Sequence, residues 1–238
     1  HRTRTLPRKA LLMRTSKKFG AALLLAALIS PLSVAAVGAQ DLTNGGRNSS
    51  ISADILPAGS STGPELREVG FVVDPERYDG RWYQVAAVPQ PYTLQCTNDT
   101  TADYELNEDG TALSVRNSCG SQISSDSVID GTATIRNTET NASLRVNFPG
   151  IPFQDENGPV NYRITYLAED NPTGDYTLAI VGDPQRRSGF VLSRTPNLTA
   201  EQWNLVKTTV ADRGWWDCSF LTVPMAEGRK DATPLCLL

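Results

Sequence analysis

Between residues 80 and 194 the chain reads as eight short extended runs in series, with turn residues between them and no helical period. The runs are 80–88, 101–106, 111–117, 127–137, 142–148, 161–167, 174–182 and 189–194. In the fifth, Leu144, Val146 and Phe148 alternate with Ser143, Arg145 and Asn147. In the sixth, Tyr162, Ile164 and Tyr166 alternate with Asn161, Arg163 and Thr165. Such alternation places one set of side chains on each face of a strand. Asp109-Gly110, between the second and third runs, is a hairpin signal. Antiparallel strands in chain order leave two open edges unless the sheet closes on itself. The expected fold class is therefore all-β: an eight-stranded antiparallel up-and-down β-barrel, with a two-sheet sandwich as the competing architecture. A barrel of eight strands either fills with side chains or holds one small ligand.

One helix follows the strands. Thr199 is an N-cap with Gln202 at the third helical position, a capping box. Trp203, Val206 and Val210 fall on one face, and Gly214 is placed to end the helix. A helix with a single apolar stripe is expected to pack outside the barrel. Residues 220–223 are a candidate ninth strand.

The first 39 residues are expected to be a signal peptide. Arg14, Lys17 and Lys18 precede the nine-residue apolar run 21–29, and small residues lead to a cleavage point at Ala39-Gln40. The apolar run falls short of the ~20 residues that span a bilayer, so no integral membrane span is expected. The Ser-, Gly-, Asn- and Pro-rich stretch 40–67 reads as a flexible lead. The barrel domain is expected over 68–223, and 224–238 reads as a tail.

Removing residues 1–39 takes away 7 of the 22 Lys and Arg and none of the 26 Asp and Glu, leaving 15 against 26, a net charge of −11. That balance argues against nucleic acid as a partner, which needs clustered cations, and leaves at most transient contact with a membrane or cell envelope. The single histidine is His1, so the mature chain has none. This excludes Ser-His-Asp and Cys-His nucleophile activation and His-ligated metal or haem. No cofactor or metal is expected. Cys96, Cys119, Cys218 and Cys236 are an even set in an exported chain and read as two disulfides, with three possible connectivities. Cys96 and Cys119 flank the Asp109-Gly110 turn nearly opposite in register, which favours Cys96–Cys119 with Cys218–Cys236.

Three stretches carry a family resemblance. "DPERYDGRWYQVA" (74–86) resembles the first lipocalin motif, Gly-x-Trp, as Gly80-Arg81-Trp82 with Tyr78 ahead of it. "NPTGDYTLAIV" (171–181) resembles the second; its usual Thr is Gly174 here, and Asp175-Tyr176 match. "FVLSRTPNLTAEQWNLV" (190–206) resembles the third, with Arg194 as its basic residue and the family's helix after it. The chain is most similar to bacterial lipocalins and apolipoprotein D, over about 68–223. The resemblance implies a calyx whose closed end is plugged by Trp82 beneath Arg194, with Gly80 leaving room, and whose open end admits a ligand. It implies that 88–96 is a lid loop. It also raises a rival pairing, Cys119–Cys236, that ties the tail to the barrel; the sequence leaves the two open.

The expected function is that of a secreted carrier for a small lipophilic or amphiphilic molecule, such as a fatty acid or lysophospholipid, working as a monomer or weak homodimer outside the cell or in its envelope. Alternation gives an inward set that includes Tyr104, Val115, Phe148, Tyr162, Ile164, Tyr166, Tyr176 and Ile180, with Tyr92 on the lid loop. Buried tyrosines need hydroxyl partners, so several in one interior point to a ligand with a polar group, or to water. The chain is not expected to be an enzyme. The alternatives are a thiol-dependent lipid isomerase of lipocalin type, which needs a free inward Cys, and a protein-interaction module using the loops.

Overall fold

The alternating runs form eight strands: β1 (Gly80–Ala87), β2 (Cys96–Leu106), β3 (Ala112–Ser121), β4 (Asp126–Ile135), β5 (Ser143–Asn147), β6 (Tyr162–Glu169), β7 (Tyr176–Gly182) and β8 (Gly189–Ser193). A computed structural model describes residues 63–121, 126–151, 154–169 and 174–238. The expected signal peptide and all but the end of the expected lead lie outside the described residues. Each strand pairs antiparallel with the next, and β1 pairs with both β2 and β8, which closes the barrel. A short β9 (Leu221–Thr222) adds to the end of β1.

Local chemistry accounts for the punctuation. Gly110 takes φ +70° in the β2–β3 turn, where the Asn107 side chain accepts from the amides of Thr111 and Ala112. β2 begins five residues earlier than its alternation predicts. Its first half is polar, and two register shifts between Cys96 and Thr101 absorb Asn98 and Asp99. A four-residue helix, α1 (Pro75–Tyr78), precedes β1; the Asp74 carboxylate caps it by accepting from the amide of Glu76. One turn of helix is too short for any hydrophobic period to reveal.

The later helix, α2 (Ala200–Asp212), has the expected capping box. Thr199 Oγ1 accepts from Gln202 N, and Gln202 Oε1 accepts from Thr199 N. Trp203, Val206 and Val210 pack with Val85, Leu178, Ile180 and Val191 in a cluster on the outer face of the barrel. The barrel interior holds a separate cluster, including Trp82, Tyr104, Val115, Leu144, Ile164, Val181 and Leu192. β7 and β8 are therefore covered on both faces, as strands buried on both sides are apolar throughout.

Both ends of the described chain are tied down. Leu66 is fully buried in the outer cluster and donates its amide to Pro184 O, so packing starts before Glu68. Val69 N donates to Ile164 O and Val73 N to Thr140 O, which leads this segment along β6 to the end of the barrel where α1 sits. The stretch read as a tail is part of the same compact unit; Leu235 is fully buried, and its amide donates to Phe220 O.

The disulfides join Cys96 to Cys119, across the β2–β3 pair, and Cys218 to Cys236, between two short 3₁₀ turns. Opening the second releases a loop of sequence separation 18 that fixes the C-terminal segment. Replacing Cys218 and Cys236 together by Ser is expected to lower unfolding free energy by about 3 kcal/mol in the loop-entropy picture, read from urea denaturation midpoints.

Candidate ligand site in the barrel interior

The barrel has one end shut by α1 and the start of β1. There the guanidinium of Arg194 lies 4.0 Å from the centroid of the Trp82 ring. Its N–H groups donate to four carbonyls: Arg81 O at 2.8 Å, Asp79 O at 2.7 Å, Arg77 O at 3.0 Å and Tyr176 O at 3.2 Å. Trp82 is fully buried, and its indole N–H donates to Tyr78 O. Gly80 has φ +92°, and a Cβ there would stand 3.3 Å from an Arg194 Nη. A side chain at position 80 would thus meet backbone strain and the guanidinium together. Burial lowers the Arg194 pKa from its ordinary value, yet an arginine this basic stays charged.

Above this plug stand three phenols. The hydroxyls of Tyr78 and Tyr162 are 2.7 Å apart, and those of Tyr104 and Tyr162 are 3.1 Å apart. Tyr78 stacks at a tilt on Trp82, with centroids 5.1 Å apart, and meets Tyr104 edge-on at 5.4 Å. Three hydroxyls carry three protons, and two hydroxyl–hydroxyl contacts use two of them. One O–H donor is left over among the described residues. Burial drives all three phenols upward: Tyr104 is pushed to about 12, and Tyr78 and Tyr162 lie well above the ordinary value. They remain neutral donors at physiological pH.

The structure brings some of the expected inward residues together and moves others. Tyr104, Val115, Tyr162 and Ile164 lie in the interior cluster. Phe148 is half-buried against it, and its ring lies over Gly131, where a Cβ would come within 2.5 Å. Tyr166 faces the other way: β6 shifts register between Ile164 and Tyr166, so Leu167 takes the interior position and Tyr166 joins the cluster beneath α2. A one-residue shift of this kind exchanges the faces of all that follows. In β7, Ala179 and Val181 are interior, while Leu178 and Ile180 pack under α2. Tyr176 is fully buried at the closed end, where its hydroxyl accepts from Asp74 N and the Arg77 guanidinium lies 4.1 Å over its ring. Asp175 precedes it in the β6–β7 turn. Tyr92 stands at the open end on a 3₁₀ turn, Pro91–Thr93, and is 62% exposed.

Tyr78 is an interior residue that strand alternation could not find, because it belongs to α1, and Val69 and Val73 of the preceding segment join the same cluster. The apolar run 178–181 did carry a signal for β7. Continuous rather than alternating apolarity marks a strand covered on both faces.

All four cysteines are in disulfides, so none offers a thiol. The grouping Asp217, Cys218 and Cys236 has the spacing of metal ligands, but both sulfurs are bonded to each other. No helix among the described residues is long and apolar enough to cross a membrane.

A closed antiparallel barrel with a cation-capped Trp at one end and an outer helix defines a calyx-type binding protein. Comparison with known proteins agrees. The model of the lipocalin-like domain matches residues 73–225. Temperature-induced lipocalin-1 of Arabidopsis thaliana is 31% identical over 144 residues, 59% of this chain and 73% of that one. Insecticyanin of the tobacco hornworm Manduca sexta superposes with a TM-score of 0.50 at 17% identity, over 71% of this chain and 88% of that one. The chain belongs to the lipocalin family.

The phenols make a pH dependence measurable. A phenol in the unfolded chain ionises near ~10, below its folded counterpart. Between the two values the unfolded state binds fewer protons, so stability falls as pH rises. The contribution of the trio is expected to be intact below pH ~10 and to be lost as pH climbs through 12, Tyr104 being pushed to about 12. Urea midpoints measured from pH 8 to 12 check this, with phenolate absorbance recorded alongside. At the plug, Arg194→Lys forfeits the planar fork that reaches several carbonyls. It is expected to cost about 2 kcal/mol, since carbonyl partners of a half-buried charge-assisted network are left unpaired.

Proposed function

We propose that this lipocalin is an exported carrier that holds a small hydrophobic or amphiphilic molecule inside the barrel, with an oxygen acceptor of the ligand turned toward Tyr78, Tyr104 and Tyr162. The observation that carries this reading is the leftover hydroxyl donor in an otherwise apolar interior. An apolar cavity with a few polar groups is the usual form of a small-molecule site, and a buried O–H without an acceptor is a cost that a ligand carbonyl, carboxylate or hydroxyl removes. Fatty acids and lysophospholipids have the required chemistry. The family's general role as binding proteins for small hydrophobic ligands supports the same class.

Export rests on the basic, apolar and small-residue leader in the sequence and on the two disulfides, which form and persist in oxidising compartments. Tyr92 and the exposed Leu94 beside it sit where a lid over the open end is expected. The ligand site proposed here comprises Tyr78, Tyr104, Val115, Phe148, Tyr162 and Ile164. Tyr166 and Ile180 are left out because they pack beneath α2, and Tyr176 because its hydroxyl, at the closed end of the interior cluster, is already engaged by the Asp74 amide. A thiol-dependent isomerase lacks its nucleophile while the four cysteines stay paired.

Native mass spectrometry of the exported protein, followed by lipid extraction, tests the reading. A stoichiometric amphiphile is expected. A bare mass, with no uptake from a panel of fatty acids and lysolipids, would overturn it and turn attention to the loops. Tyr162→Phe removes the hydroxyl that bridges the other two. It is expected to weaken binding of a fatty acid about tenfold, the effect of one lost hydrogen bond of ~1.4 kcal/mol, while leaving affinity for a plain hydrocarbon unchanged in a competition titration.

A further inference from the structure

The outer face of the barrel carries a second feature that the carrier reading does not use. Arg145 alternates with the inward Leu144 and Val146, so it points outward from β5, yet it is only 8% exposed. Its Nε donates to Asp155 O at 2.8 Å and its Nη1 to Pro159 O at 3.3 Å. Among the described residues it has no carboxylate partner, and its Nη2 has no hydrogen bond. A buried cation held only by carbonyls is unusual, because burial of a charge is costly unless an opposite charge answers it.

The loop after β5 is shaped around this side chain. A Cβ on Gly158 would come within 2.7 Å of the guanidinium carbon and of Nη2. Next to it the β5–β6 ladder stops after two residue pairs, and the Asn161 side chain continues it, donating to Val146 O and accepting from Val146 N. The opening beside this splay is a cleft of about 360 Å³, with Arg145, Arg163 and Arg187 in its walls and Pro159, Val160 and Pro184 among its apolar surfaces. Two carboxylates also line it. Glu65 is paired with Arg163, and Asp183 is paired with Arg187 and accepts from the amide of Ser188. Three guanidinium groups thus face two engaged carboxylates, and the unanswered charge is that of Arg145.

We propose that this cleft is an oxyanion site, in which Arg145 takes the carboxylate or phosphate of a small soluble organic molecule whose apolar part lies against Pro159, Val160 and Pro184. A guanidinium is suited to both groups, since its planar fork matches two oxygens. The volume exceeds what a bare ion needs and fits a molecule of several carbons. An anionic membrane surface is a poor occupant, because residues 40–238 carry a net charge of −11, whereas a small anion feels chiefly the local charge once salt screens the rest. The site lies outside the barrel and is independent of the interior ligand.

Proton–nitrogen NMR of the full mature protein tests it, with inorganic phosphate, butyrate and butyl phosphate as probes. Saturable shifts of the Gly158 and Asn161 amides and of the Arg145 Nε–H are expected, with dissociation constants on the order of a millimolar or below for butyl phosphate. Arg145→Gln is expected to weaken binding at least fivefold. If that variant loses the loop, Val160→Asp provides the second reading. It leaves the arginine and its carbonyl contacts in place and sets a carboxylate in the cleft, and it is expected to suppress the same shifts. No saturable shift with any probe, or shifts that persist unchanged in both variants, would overturn the site and leave Arg145 as a clamp for the segment 155–159.

Discussion

The contact between Arg194 and Trp82 is the one on which the barrel's geometry depends. A single guanidinium covers an indole and donates to carbonyls from α1, from the start of β1 and from β7. These are the segments that must meet for the closed end to shut. The arrangement works because the indole face is negative and the carbonyls point inward, so one half-buried cation is answered from several sides, with the charges of Asp175 and Asp79 close by. Gly80 is required by the same contact, since its positive φ and its missing side chain let the backbone pass beneath the guanidinium.

The plug then organises what lies above it. Trp82 donates to Tyr78 O and stacks against the Tyr78 ring, which brings the Tyr78 hydroxyl to Tyr162 and so to Tyr104. The polar group in the barrel's interior is thus built partly from the helix that closes it. Its phenols are held neutral by burial, so their polarity is that of hydroxyl dipoles rather than of charge. Such a floor can meet an acceptor on a ligand without an ion pair. The Arg145 cleft on the outer face differs in kind: there a full charge lacks its counter-ion, and the loop chemistry that holds it gives that charge a fixed direction.

The outer layer is more than packing. With α2 over β1, β7 and β8, those strands have two apolar faces. The segment around Leu66 and the C-terminal residues to Leu235 enter the same outer cluster. Residues expected to be lead and tail are thereby bound to the barrel by apolar burial, and in the tail by the Cys218–Cys236 bond as well.

The sequence alone determined the strands, because alternation and turn residues are local properties of the chain, and it determined α2, because a capping box and a one-sided apolar stripe need no tertiary partner to be read. The motif residues Gly80, Trp82 and Arg194 were legible as a plug only through their resemblance to a family, since the Trp and the Arg lie 112 positions apart in the chain. Tertiary structure alone decided which tyrosines line the interior. The register shift in β6 turned Tyr166 outward and Leu167 inward, and nothing in "NYRITYL" announces where a strand will bulge. Tyr78 entered the interior from a single helical turn that has no period to detect. Arg145 read as an ordinary outward residue, and it became a buried charge only when the segment 155–159 folded back over it, a contact set by the path of the chain rather than by the identity of any neighbour in sequence.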